Sequence, residues 1–297
     1  MNIKASLNHF KSRLNLFQVK GVKRGERLLD LSLTDEDLLE DLTRHGTNDR
    51  LLERFTAQEV QEALKRYGVW DQLTDKGYPR AAVRIQSLDP FRQSVKIITS
   101  AEDPEDDEHL LCELRVFDAW MNGTCPLTGQ PMEIDALVID WLVFQNPRAS
   151  FTDDRPRLPG QKYPGLGIMR TCMLGILDLA RECGKEAVIN IPEYYHNAIL
   201  YQPTFRFYSP MVEGRFLALQ KFLSGLTLAD ASSLVASLSI YDDINGKVFV
   251  WKPHEHVLGL VPRIVEYFES ALYISKVKEI EESCTFHFVR PEEAGNL

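Results

Sequence analysis

Between residues 136 and 193 the chain runs from one apolar stretch, "ALVIDWLVFQNP", to another, "KEAVINIPE". A polar, Pro-rich stretch, "RASFTDDRPRLPGQKYP", a glycine pair and an amphipathic segment, "GLGIMRTCMLGILDLARECG", join them. No other feature limits the fold as strongly. A run that is apolar at nearly every position suits a strand covered on both faces. The period then changes to that of a helix of about 16 residues, which stops at Gly184. Strand, glycine loop, helix and strand in that order predict an α/β layer with a parallel crossover.

The flanking text extends this layer. "AAVRIQSL", "QSVKIITS" and "LLCELRVFDAWM" read as strands, with the acidic run "AEDPEDDEH" as a solvated hairpin tip between the last two. Upstream, "SLTDEDLLEDLTRH" and "RFTAQEVQEALKRYG" each begin with a threonine and carry an acid three residues on: Thr34 with Asp37, Thr56 with Glu59. That spacing is the capping box of a helix start. The reading is a helical segment over 1–75, a core over 76–211 and a mainly helical extension over 212–297, the last including the long amphipathic stretch "LVPRIVEYFESALYISKVKEIEE".

Composition narrows the class. The 297 residues carry 34 basic and 43 acidic side chains, a formal charge of −9, which disfavours non-specific nucleic-acid binding. A basic arm over residues 1–27 (Lys4, Lys11, Arg13, Lys20, Lys23, Arg24, Arg27) runs against that balance and reads as a solvated terminus. No apolar run approaches membrane-spanning length, so no membrane partner is expected. Five scattered cysteines without a CxxC pair indicate reduced thiols and a cytoplasmic setting. The "HEH" of His254 and His256 lacks a third ligand at metal-site spacing, and no metal is expected.

Glycines entering a helix let backbone amides approach an anion. A Walker loop would need Lys and Ser/Thr after the second glycine, but Leu166 and Gly167 follow Gly165. A dinucleotide fingerprint would need a third glycine where Arg170 stands. The segment "KYPGLG", Lys162 to Gly167, instead resembles the Q/R-x-x-G-x-G/A pyrophosphate loop of the GNAT superfamily of N-acetyltransferases. The succeeding "KEAVINIPEYYHNAILYQPTFRF" is similar to that superfamily's next strand, its N-x-x-A-x-x-L-Y helix and its following strand. The likeness covers about residues 55–210, with Tyr195 at the asparagine position, the tyrosine one residue early and Arg206 in place of a glycine.

The resemblance implies an α/β fold with the mixed central sheet of acetyl-CoA N-acyltransferases, and transfer of an acetyl group from acetyl-CoA to a small-molecule or protein amine. It places the pyrophosphate on the loop of Lys162, Tyr163, Gly165, Leu166, Gly167 and Ile168. The pantetheine arm falls along Leu142 and Phe144, and Asn197 lies in the motif helix. Tyr201, with Tyr194 and Tyr195 as competitors, is the acid for the departing thiolate. Glu193 or Asp140 is the general base. The alternative is a non-catalytic relative that binds coenzyme A or a protein, with the C-terminal extension meeting a second copy of the chain or a protein partner.

Overall fold

The computed structural model describes residues 17–19, 50–89, 91–99 and 107–289. The helix expected in "SLTDEDLLEDLTRH" (32–45), the basic arm outside 17–19 and the tip of the acidic hairpin lie outside these residues. In chain order the elements begin with β1 (Phe17–Val19), β2 (Arg50–Leu51), β3 (Phe55–Thr56), α1 (Ala57–Arg66) and α2 (Val69–Asp75). Strands β4 (Ala82–Ser87), β5 (Gln93–Ile98), β6 (Leu110–Thr124) and β7 (Pro131–Phe144) follow, then α3 (Met169–Glu182), β8 (Ala187–Asn190), α4 (Tyr195–Tyr201) and β9 (Arg206–Phe207). The remainder comprises α5 (Pro210–Phe222), α6 (Leu228–Ala236), β10 (Ile240–Asp242), β11 (Lys247–Val248), β12 (His256–Gly259), α7 (Pro262–Glu269), α8 (Ala271–Ser283) and β13 (Phe286–Phe288). The chain is thus mixed α/β. No helix among the described residues is long and apolar enough to cross a membrane.

The chain divides into two compact units, which cut across the three segments drawn from the sequence. One comprises 1–123, 131–149 and 165–186; the other comprises 124–130, 150–164 and 187–297.

In the first unit β4, β5, β6 and β7 are neighbours in that order, and β1 pairs with β6 beyond the end of β5. The helix predicted from Thr56 forms as α1 with both capping-box bonds made, Glu59 N–H to Thr56 Oγ1 at 3.2 Å and Thr56 N–H to Glu59 Oε2 at 2.8 Å. Val69, Leu73, Tyr78, Ile97, Leu111 and Cys172 form a core against one face of the sheet. The other face buries a polar network: Ser94 Oγ donates to Glu113 Oε1 at 3.0 Å, and Arg115 donates to both Glu113 oxygens. Before β8 the Lys185 ammonium, 3% exposed, bonds Asp118 at 2.5 Å and Asp135 at 3.2 Å.

In the second unit β12 lies between β8 and β9, antiparallel to both, although it comes last in the chain. The segment 212–297 therefore contributes a strand beside β8 as well as helices. The long amphipathic stretch forms two helices rather than one. Ser270 leaves helical geometry and its hydroxyl accepts from the Tyr273 N–H at 3.2 Å, which starts α8 afresh. The core here is aromatic, with Tyr195, Phe207, Phe216 and Leu219 packed together and Trp251 against them.

Helices α5 and α8 touch backbone to backbone at Gly214, where a Cβ would lie 2.6 Å from the Val277 carbonyl oxygen. Gly214→Ala is expected to lower unfolding free energy by about 1–3 kcal/mol through overpacking. Gly225→Ala, where nothing lies within 4 Å, is expected to stay within about 0.5 kcal/mol in the same urea titration.

Candidate functional site

Residues 163–168 alternate between exposed or half-buried and buried positions. Pro164, Leu166 and Ile168 are buried, whereas Gly165 is half-buried and Gly167 is exposed. Leu166 and Ile168 belong to the core of the first unit, so any ligand they serve must meet their backbone. Gly167 has φ of +74°, a left-handed conformation that glycine adopts without penalty, and nothing lies within 4 Å of where its Cβ would be. A Cβ on Gly165 would lie 3.9 Å from the Phe144 carbonyl oxygen at the end of β7. Helix α3 starts here with Ile168 as N-cap, and no side chain caps it. Its first turn also carries no acid. This 14-residue helix therefore has neither a side-chain cap nor an acid opposite the positive end of its dipole.

The first unit also holds Leu142 and Phe144, packed against its core, and Asp140. Arg92 Nη1 donates to Asp140 Oδ2 at 3.3 Å, while Arg92 Nε bonds Asp89 at 2.6 Å. Asp140 is thus engaged as an acceptor in an ion pair.

Lys162, Tyr163, Glu193, Asn197 and Tyr201 belong to the second unit. The Lys162 ammonium lies 5.3 Å from the centre of the Tyr163 ring. Tyr201 is half-buried on the last turn of α4, edge-on to Phe205 at 5.5 Å. Asn197 is half-buried in the same helix. Of the competing tyrosines, Tyr195 is 4% exposed between Phe216 and Trp251, and burial pushes its hydroxyl up to about 12. Tyr194 is held differently. Gly160 has φ of +78°, and a Cβ on it would lie 2.7 Å from the Tyr194 ring, so this glycine admits the ring.

Sequence reasoning passed over a buried polar group in the second unit. Asn190, the last residue of β8, is the direct cross-strand partner of His256 in β12, which is in turn the partner of Phe207 in β9. The His256 ring stacks on Phe207 at 4.4 Å. Both amide atoms of Asn190, both ring nitrogens of His256 and Nδ1 of His196 are buried without a well-formed hydrogen bond in the protein. Each such atom carries a cost of about 1–3 kcal/mol. The only signal was Asn190 closing an otherwise apolar "AVIN". Among the described residues no three His, Cys, Asp or Glu side chains gather as a metal ion would need.

Burial lowers the pKa of His196 to about 4 and that of His256 to about 3, the Phe205 backbone partly offsetting the effect at His256. The unfolded chain takes up these protons near the ordinary 6.5. Stability is therefore full above that pH and falls as pH drops towards the folded values. Each histidine is expected to withdraw on the order of 2 kcal/mol between pH 7 and pH 5. Glu213, its carboxyl raised by burial, works in the opposite sense at the acidic end. Urea unfolding at the two pH values checks this: His256→Leu should remove its share of the loss, and a wild type equally stable at both would contradict it.

No protein-family model and no curated protein matches the chain.

Proposed function

We propose that the chain binds an acyl-coenzyme A through the Gly165–Ile168 loop and transfers the acyl group to an amine. The observation that carries this reading is the start of α3, capped by no side chain, behind Gly165 and Gly167 at the end of an apolar strand, with open space at the Gly167 Cβ position. Leu166 and Ile168 hold the loop by their side chains, so an anion such as a pyrophosphate would be met by backbone amides. The resemblance to GNAT acetyltransferases supplies the chemistry. The amine nitrogen attacks the thioester carbon, the carbon–sulfur bond breaks, Glu193 takes the amine proton and Tyr201 protonates the departing thiolate. Asp140, to which Arg92 donates, is the other candidate base that the resemblance offers.

A non-catalytic coenzyme-binding module is the second reading. It is favoured by Tyr195, which takes the motif's asparagine position and is buried among aromatic rings.

Calorimetric titration with coenzyme A and acetyl-CoA tests the first step. Gly165→Glu combined with Gly167→Glu is expected to weaken binding tenfold or more, about 1.4 kcal/mol, with the circular dichroism spectrum kept. Tyr201→Phe should leave the dissociation constant near wild type and cut acetyl transfer to an amine panel by about 10²-fold. Saturable binding without transfer to any amine would support the second reading; absence of binding at millimolar coenzyme would remove both.

A further inference from the structure

The first unit holds a half-open cavity of about 620 Å³, within the usual range of small-molecule sites. Its floor is one face of the sheet. Val95 and Ile97 of β5 stand opposite Leu114 and Cys112 of β6, and Leu142 and Phe144 of β7 complete the row. Its roof is made by α1 and α3. Helix α1 is amphipathic, yet none of its residues is fully buried; Val60, Ala63 and Leu64 are half-buried and line the gap. An apolar stripe on a folded helix normally reaches the core. Leu64 also packs against the core, and among the described residues the rest of the stripe borders open space, so the cavity is a place where apolar surface can be covered.

The interior carries no charge at neutral pH. Burial raises the pKa of the Cys172 thiol to about 12 and lifts that of Cys112 well above its ordinary value, which leaves both as small neutral hydrophobes. Among the described residues Glu59, Glu62, Asp178, Glu182 and Arg66 also line the cavity, and Lys65 and Arg181 pair with Glu62 and Asp178 at 2.9 and 3.0 Å, so two of the four acids are matched by cations. The apolar lining suits an uncharged chain. The floor also runs up to the proposed coenzyme loop, since Phe144 lines the cavity and its carbonyl is the nearest atom to the Gly165 Cβ position.

We infer that this cavity receives the hydrocarbon chain of an acyl thioester, so that the preferred donor carries a medium or long acyl group rather than acetyl. The inference rests on the acyl-coenzyme A reading above and adds the class of acyl group.

The test is a calorimetric series on the full chain with coenzyme A and its acetyl, butyryl, hexanoyl, octanoyl and decanoyl thioesters, with 1-decanol as a probe lacking the coenzyme. The dissociation constant should fall about fourfold per added methylene until the cavity is filled. Ala63→Phe, which projects a ring from α1 into the gap, should flatten the series. Val60→Phe, one turn earlier, provides a second filler if the first fails to fold. A flat series in wild type with coenzyme A still bound overturns the chain site and leaves the coenzyme reading standing. Decanol binding that Ala63→Phe abolishes, with no binding of coenzyme A, keeps the chain site and removes the coenzyme reading. Binding of neither overturns both.

Discussion

The anchoring of Leu166 and Ile168 is the constraint on which the candidate site depends. The two side chains are 1% and 0% exposed, and they sit on either side of the one exposed glycine in the loop. Fixing both flanking residues sets the backbone between them without any hydrogen bond from a side chain. The start of α3 inherits that placement, because Ile168 is also its N-cap. Loss of either anchor would therefore act on the loop before it acted on the helix. A surface loop is usually the softest part of a fold; this one is tied down by burial at every second residue.

The sheet of the first unit has two unlike faces, and cross-strand register keeps them apart. Val95 faces Leu114 while the next residue, Lys96, faces Glu113. A slip of one residue would carry the ionic network into the cavity and the aliphatic row out of it. The polar face is self-sufficient through Arg115, Glu113 and Ser94. The apolar face is not, since part of it looks into a void beneath α1. Unequal satisfaction of two faces of one sheet is a reason to look for a ligand on the deficient side.

What the sequence disclosed was local. The capping box at Thr56 and Glu59, the stop before Gly184, and the strands at 82–87, 93–98 and 110–124 all follow from neighbours within a few residues, and each is present. What it concealed was pairing at a distance. Nothing in "HEHVLG" marks it as the neighbour of "AVIN", some 65 residues earlier, because both are short and apolar enough to pair in many ways. The contact of Gly160 with Tyr194 is hidden for the same reason: the glycine reads as an ordinary turn until the ring beside it is placed. The strong amphipathic pattern on both sides of Ser270 masked the break between α7 and α8. The glycine turn before α3 was legible because its residues are consecutive; the cavity was not, since its lining comes from α1, β5, β6, β7 and α3 together.

One end of the cavity wall is formed by Leu51 and Phe55, which flank the turn of the β2–β3 hairpin. That turn places Leu52 and Glu53 at φ of 51° and 61°, left-handed values that cost side-chain-bearing residues on the order of 1 to 2 kcal/mol each. Gln93 clamps it, accepting from the Leu52 N–H at 2.5 Å and donating to the Arg50 carbonyl at 2.8 Å. The wall at this end is therefore a latch under load rather than inert packing. Opening it gives back torsional energy that opening a relaxed wall would not, which lowers the cost of local unfolding beside the cavity.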